Sequence, residues 1–129
     1  MGQQYLIDSN IIIYFVNNVL PQNSVAKIEK ILKENFIIST ISNIETLGWY
    51  NIEEEDKVKL IDFLSNSTIF YIDKRIEAKA IEIRQKKKMK LGDSIIAATA
   101  LIHDLTIITR NESDFYGLEL TIYNPFDGK

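Results

Sequence analysis

The sequence predicts an α/β fold in which a five-stranded parallel sheet is flanked by helices on both faces, a three-layer α/β/α arrangement. Short apolar segments alternate along the chain with longer segments in which apolar residues recur at helical spacing. The short segments are apolar without interruption, which is typical of strands buried on both faces of a parallel sheet. Since no repeat, low-complexity tract or linker breaks this alternation, we expect one domain over residues 1–129.

Five short apolar segments are predicted as strands. They cover residues 4–8, 36–40, 68–72, 105–109 and 120–123. The first ends in Asp8-Ser9-Asn10, whose polar side chains favour a turn. In parallel α/β sheets, ligands bind beyond the carboxyl ends of the strands, at the point where the strand order reverses. We therefore expect the functional residues to follow the strands.

The helical segments are marked by caps and by apolar spacing. Residues 11–17 fit either a short helix or an extension of the first strand. Ser24, Ser42 and Asp73 each stand where a helix N-cap is expected, because their side-chain oxygens can accept a backbone N–H. Residues 93–103 are apolar nearly all round and rich in alanine, which predicts a buried helix beginning at Asp93.

The composition excludes several kinds of chemistry. The chain has no cysteine and only one histidine, His103, which rules out disulfides, a thiolate nucleophile and a zinc site of thiolates or several histidines. The net charge of −3 does not favour nucleic acid as a partner, although a local basic patch or a cation held on carboxylates can bind RNA. The longest apolar stretch, residues 11–16, is far shorter than the ~20 residues of a membrane helix, and residues 1–6 lack a basic signal-peptide start. We expect a cytoplasmic protein with no membrane association.

Four acidic residues lie next to strand ends or helix starts: Asp8, Glu45, Asp93 and Asp114. Each has an ordinary structural explanation. Glu45 forms a capping-box pattern with Ser42, Asp93 stands at a helix start, and Asp114 lies in a turn-like segment. Asp8 is the hardest to explain in this way, because a carboxylate that ends so apolar a strand is partly buried at the edge of the sheet.

The four acids together carry more information than any one of them. Two carboxylates ~5 Å apart repel by roughly 3 kcal/mol at an effective dielectric constant of ~20. Four in one cleft oppose folding unless protons or a cation neutralise them. Mg²⁺ fits such a site because it prefers oxygen ligands and bridges to phosphate, and a metal held in this way supports phosphodiester hydrolysis. The sequence therefore predicts a Mg²⁺ or Mn²⁺ site.

The segments around these acids resemble the motifs of the PIN-domain family. The opening motif is similar to Tyr5-Leu6-Ile7-Asp8-Ser9-Asn10-Ile11-Ile12-Ile13-Tyr14, and Glu45 in Ile41-Ser42-Asn43-Ile44-Glu45 fits the second. The third acidic motif resembles Asp93-Ser94-Ile95-Ile96-Ala97-Ala98-Thr99-Ala100-Leu101, and the fourth resembles Thr109-Arg110-Asn111-Glu112-Ser113-Asp114-Phe115. The four motifs occur in family order and cover essentially the whole chain.

This resemblance implies a PIN-like sheet and a metal-dependent ribonuclease site of the VapC toxin type. It also implies a homodimer and a protein antitoxin that silences the enzyme. By the same resemblance, all four acids are catalytic, with Asp8 and Asp93 as the principal metal ligands and Asp114 as a further one. Ser9 and Asn10 would orient Asp8. Some family members carry a further acid near Asn111, so the resemblance leaves open whether one or two metals bind, and we place Asn111 among the residues that support the ligands.

A basic segment precedes the third motif. Its cations, together with Arg110, are candidates for RNA binding: Lys86, Lys87, Lys88 and Lys90. They are interpreted either as the solvated end of a helix, where cations favour the dipole, or as residues that steer RNA phosphates toward the metal. The sequence does not separate these two interpretations.

Three other functions compete with a nuclease. A receiver-like domain would use Asp73 as its phosphoacceptor, but it needs an acidic pair near the first strand and a lysine after the fifth strand, where this chain has Asn124-Pro125. A phosphatase of the Asp-x-Asp type does not fit, since Asp8 is followed by Ser9 and Asn10. A PIN fold that only binds RNA or protein is the main alternative.

Overall fold

The computed structural model describes residues 3–127, and it contains the predicted five-stranded parallel sheet in the order β3-β2-β1-β4-β5. The strands are β1 (Tyr5–Ile7), β2 (Ile37–Ser39), β3 (Thr68–Phe70), β4 (Thr106–Ile108) and β5 (Ile122–Tyr123). The helices are α1 (Ser9–Val16), α2 (Gln22–Glu34), α3 (Thr40–Leu47), α4 (Glu54–Leu64), α5 (Lys74–Lys86) and α6 (Leu91–His103), and a 3₁₀ turn spans Glu112–Phe115. The predicted fold class is confirmed.

The central strand β1 is the point where the strand order reverses. Along the chain, β2 and β3 are added on one side of β1, whereas β4 and β5 are added on the other. In register, Leu6 pairs with Ile37 on one side and with Ile107 on the other. The carboxyl ends of β1 and β4 therefore border the crevice where parallel α/β sheets bind ligands.

The three inner strands β1, β2 and β4 are buried on both faces, as their continuous apolar sequences predict, whereas the edge strands β3 and β5 are only partly buried. Leu6 and Ile107 belong to one core cluster, and their chain neighbours Ile7 and Ile108 belong to a second cluster. The first cluster is built with residues of α5 and α6, and the second with residues of α1, α2 and α4. Since successive strand side chains point to opposite faces, helices cover both sides of the sheet.

Two of the three predicted helix caps are wrong. Helix α3 is capped by Ser39, whose Oγ accepts the Ile41 N–H at 3.0 Å, and Ser42 lies inside the helix, with no partner for its buried hydroxyl among the described residues. Helix α2 begins at Gln22, so Ser24 lies within it and instead donates its hydroxyl to the Pro125 carbonyl at 2.6 Å. In both cases the chain enters the helix earlier than the cap-forming residue type suggests.

The starts of the other helices are closer to the sequence predictions. Asp73 caps α5 as predicted, with its carboxylate accepting the Ile76 N–H at 2.9 Å. Residues 11–17 form a helix and not a strand extension, because Asp8 caps α1 directly after β1. Helix α6 begins two residues before Asp93, which lies in its first turn. Within residues 3–127, none of the helices has the length and apolar character needed to span a bilayer.

Candidate active site

Asp8 occupies the carboxyl end of β1 and is 6% exposed. Its carboxylate accepts three hydrogen bonds, from the Ser9 N–H at 2.9 Å, the Thr109 hydroxyl at 2.8 Å and the Asn10 side-chain amide at 3.1 Å. Burial raises the pKa of Asp8 above its ordinary value of 3.8, the hydrogen bonds oppose that rise, and the nearby Glu45 adds to it. The side chain is therefore held in one orientation at the sheet edge.

Glu45 is brought to Asp8 by Ser9. The Ser9 hydroxyl donates to Glu45 Oε1 at 3.0 Å, while its backbone N–H binds Asp8. Helix α6 approaches from the other side at Gly92, where a Cβ atom would lie 3.6 Å from Glu45 Oε2 and 3.2 Å from Ile41 Cγ2. A glycine at this position allows α6 to come close to the Glu45 carboxylate.

Asp93 lies within the electrostatic reach of the other three acids. Burial, followed by the carboxylates of Asp114, Asp8 and Glu45 in that order, raises its pKa from 3.8 to about 6, while Lys90 acts in the opposite direction. Such interactions fall off with distance, so the structure brings all four predicted acids into one cleft. Three of them come from β1, α3 and α6, and the fourth from the 3₁₀ turn.

The donor set suits a hard divalent cation. The three candidate ligands, Asp8, Asp93 and Asp114, and the neighbouring Glu45 all offer carboxylate oxygens, which Mg²⁺ and Mn²⁺ prefer. Across residues 3–127, however, no three acidic or histidine side chains converge closely enough to hold an ion by themselves. This spacing fits Mg²⁺, because that ion usually keeps several waters and takes only one or two protein carboxylates directly.

Thr109 is the site residue that the sequence did not single out. Besides its bond to Asp8, its oxygen accepts the Asn111 backbone N–H at 3.1 Å. Asn111 thus supports the site through its backbone, and its side chain is at the surface. Asn10 has the predicted contact with Asp8 and in addition accepts the Arg110 N–H at 3.2 Å. The only signal for Thr109 is its place at the end of a buried strand, directly before the fourth motif.

The predicted basic residues have different surroundings. Lys86, the last residue of α5, lies 3.7 Å from Glu82, and the Lys87 amine donates to the Tyr116 carbonyl. Lys88 and Lys90 are exposed in the connection between α5 and α6. Lys90 is the member of the group whose charge reaches Asp93. The interpretation as a helix end therefore applies to Lys86 and to Lys87, the C-cap of α5.

Two other residues considered from the sequence lie outside the cleft. The Asp73 carboxylate is used in capping α5, which does not favour the receiver-like interpretation. The His103 ring packs on Phe70, with the ring centroids 4.4 Å apart. Within residues 3–127, neither residue forms a hydrogen bond to any of the four acids.

Comparison with known proteins identifies the family. The family model of the PIN domain matches residues 5–119. The chain belongs to the PIN domain family. The predicted resemblance is thereby confirmed, and it extends over all four acidic residues of the cleft.

Solved structures share the architecture of this PIN domain. A toxin–antitoxin complex from Klebsiella pneumoniae contains a chain that is 28% identical, with a TM-score of 0.76, 95% of this chain covered and 98% of that one. FitAcB from Neisseria gonorrhoeae is 24% identical, with a TM-score of 0.78 and coverage of 96% and 99%. VapBC2 from Rickettsia felis, bound to a DNA fragment from its promoter, is 24% identical, with a TM-score of 0.79 and coverage of 95% and 98%. No curated protein matches the chain by sequence.

Proposed function

We propose that this PIN domain is a Mg²⁺- or Mn²⁺-dependent endoribonuclease and the toxin of a toxin–antitoxin pair. One observation carries the proposal. Four carboxylates that are far apart in the sequence lie within electrostatic reach of one another beside β1, at the edge of the sheet where this fold class binds ligands. A cleft so acidic binds an anionic substrate only if a cation lies between the two.

The acidic residues of the cleft have different roles in this proposal. Asp8 and Asp93 are the principal ligands, and Asp114 completes the set with water between it and the ion or by direct contact. Glu45 is exposed, and its Oε2 accepts no hydrogen bond from residues 3–127, which suits a residue that orients a water molecule or accepts its proton. A bound divalent ion would supply an activated water and stabilise the charge that develops on the phosphate.

The hydrogen bonds around Asp8 keep its oxygens directed into the cleft. Ser9 and Asn10 donate from the start of α1, and Thr109 donates from the end of β4. Because these donors stabilise the ionised carboxylate, they oppose the effect of burial and keep Asp8 available to a cation. A ligand fixed in this way loses little freedom when the ion binds.

The toxin part of the proposal rests on the similar structures, several of which are toxin–antitoxin complexes. The chain also has an apolar surface that a protein partner would cover. Helices α1, α3 and α4 enclose a depression of about 240 Å³ whose lining includes Ile13, Val16, Ile52 and the 66% exposed Trp49. We propose an antitoxin segment as its occupant and a homodimer as the assembled state.

Cleavage of total cellular RNA by the purified protein tests the proposal. We expect discrete products with Mn²⁺ and none with EDTA. Asp93→Asn should abolish cleavage while keeping the fold, and Asp62→Asn, on the exposed side of α4, is the matched control that should cleave as wild type does.

Two results would contradict the assignment. Equal cleavage by Asp93→Asn and wild type would show that the acidic cleft is not the nuclease site. No cleavage of any RNA with either metal, by protein that is folded by circular dichroism, would favour a PIN domain that only binds RNA or protein.

A further inference from the structure

Arg110 directly follows Thr109, the residue that donates to Asp8, and its side chain is held by aromatic rings. The guanidinium carbon lies 4.1 Å from the centre of the Phe126 ring and 5.4 Å from the centre of the Tyr14 ring. Its Nη1 also donates to the Tyr14 hydroxyl at 3.4 Å. The two rings meet edge to face, with their centres 5.1 Å apart. An exposed arginine on the surface usually has many rotamers, whereas this one rests on a formed aromatic surface.

The segment that carries Phe126 is fixed from both ends. The Asn124 side-chain amide donates to Glu112 Oε2 at 2.9 Å and to the Arg110 carbonyl at 3.4 Å, while its oxygen accepts the Phe126 N–H at 2.9 Å. Between them, the Pro125 carbonyl accepts the hydroxyl of a buried serine in α2 at 2.6 Å. Residues 124–126 therefore form a rigid support and not a loose tail.

The backbone of Arg110 is tied to the metal-binding side of the cleft. Its N–H donates to Asn10, and the Asn10 amide donates to Asp8. The distance between the base of this side chain and the principal candidate ligand is thus fixed by two consecutive hydrogen bonds.

The charge of Arg110 has no carboxylate partner in the part of the chain that the structure describes, where the ion pairs within 4.0 Å involve other cations. This is notable beside a cleft that contains four acids. An exposed positive charge that follows a residue of the acidic site in the chain but is not paired with a carboxylate remains available to an anion from solution. The planar guanidinium also presents a fork of N–H groups that matches the oxygens of a phosphate.

We propose that Arg110 binds a phosphate of the RNA strand beside the scissile position, and that Tyr14 and Phe126 position its guanidinium for that contact. The proposal rests on the proposed nuclease function and adds to it the residue that places the substrate backbone against the metal. Asn124 acts through Phe126 and the Arg110 carbonyl. The aromatic support replaces the carboxylate that commonly orients an arginine, so that the charge is not lost to an internal ion pair.

Steady-state cleavage of a short RNA substrate by matched variants tests this assignment. Arg110→Ala should raise KM about tenfold with kcat changed by no more than about twofold, since one phosphate contact is lost and the acids are untouched. Arg110→Lys should have a KM between those of wild type and Arg110→Ala, because a lysine keeps the charge but not the planar group of N–H donors. Arg75→Ala, which removes an exposed arginine paired with Asp73 in another part of the molecule, should leave both constants unchanged.

The aromatic support is tested separately. Phe126→Leu keeps an apolar side chain but removes the ring face, and it should raise KM about threefold, whereas Phe126→Tyr should restore the wild-type value. If the role of Phe126 were only structural, both variants should have a lower melting temperature, and kcat should fall in addition to the change in KM. Rescue by tyrosine, with KM alone affected, is the signature of positioning.

RNA binding by the cleavage-deficient Asp93→Asn variant separates this inference from the proposed function. Fluorescence anisotropy with a labelled single-stranded RNA should give a plot of log Kd against log salt whose slope falls by about one when Arg110→Ala is added. If wild type cleaves RNA but Arg110→Ala has the same KM and the same salt slope, the assignment of Arg110 is wrong and the nuclease stands. If wild type cleaves no RNA but Arg110→Ala still lowers the salt slope, the nuclease is wrong and the phosphate contact stands.

Discussion

Replacing Asp93 by asparagine should make the metal-free protein more stable at neutral pH. The folded structure raises the pKa of Asp93 from 3.8 to about 6, first through burial and then through the carboxylates of Asp114, Asp8 and Glu45. The ionised side chain is therefore disfavoured in the folded state. Asparagine has nearly the same shape and no charge, so it removes this penalty.

The expected gain in the free energy of unfolding follows from the difference between the ordinary pKa of 3.8 and the folded-state pKa of about 6, which corresponds to about 3 kcal/mol. Asp93 is only partly buried, and solvent screening reduces the effect to about 1.5 kcal/mol. For a chain of 129 residues, that gain corresponds to a rise in Tm of about 5 °C.

The sign of the pH dependence is fixed by the direction of the shift. A carboxyl whose pKa is higher in the folded state binds more protons when folded, so its contribution favours folding below the unfolded value of 3.8 and is lost as the pH rises through about 6. The advantage of Asp93→Asn should therefore be near zero at about pH 4 and complete at neutral pH.

The assay is urea unfolding of wild type and Asp93→Asn in EDTA at both pH values. Asp62→Asn is the control, and its stability should match that of wild type at both pH values. Adding millimolar Mg²⁺ should then raise the unfolding midpoint of wild type more than that of Asp93→Asn, because the variant lacks a ligand. Equal stability of the two proteins in EDTA at both pH values, or a less stable variant at neutral pH, would refute the argument that the acids repel one another in the metal-free fold.

Three further substitutions are predicted. Thr109→Val should lower the free energy of unfolding by about 2 kcal/mol and weaken Mn²⁺ binding about tenfold, because Asp8 loses its shortest hydrogen bond; Thr109→Ser should restore both in urea unfolding and calorimetric titration. Gly92→Ala should weaken Mn²⁺ binding with a stability loss of about 1 kcal/mol, since the added methyl would lie 3.2 Å from Ile41 Cγ2 and shift α6 relative to α3, which carries Glu45; unchanged binding in the same titration would show that the close approach has no role. Ser24→Ala should cost about 1 kcal/mol in urea unfolding by releasing the support at the end of the chain, with kcat unchanged; a loss in kcat would count against the separate role of that support.

The fold could be predicted from the sequence because its main signal is local. Each strand is a short apolar run, and the inner strands are buried on both faces; Leu6 and Ile7 show this directly, because they belong to two different core clusters. The caps were less predictable. Ser39 and Ser42 carry the same side chain, and the choice between them depends on where β2 ends, which is set by its pairing with β1 and β3.

The acids of the cleft could be proposed from the sequence together with Ser9 and Asn10, which directly follow Asp8 and bind it, but the supporting residues from distant segments could not. Thr109 looks like an ordinary strand residue until β4 is paired with β1, which brings its hydroxyl to Asp8. The support of Arg110 depends in the same way on Tyr14 and Phe126, which approach each other only in the folded chain. Contacts between distant segments leave no periodic pattern in the sequence.

The hydrogen bond between Asp8 and Thr109 joins residues 101 positions apart, and this separation has a consequence for synthesis of the protein. On the ribosome, β1 leaves the exit tunnel long before β4 has been translated, so the nascent chain cannot assemble the cleft. Closing a contact of such length is also slow compared with forming helices. The proposed site should therefore form abruptly, once β4 has left the ribosome, and fragments that stop before β4 should lack it even where their helices form.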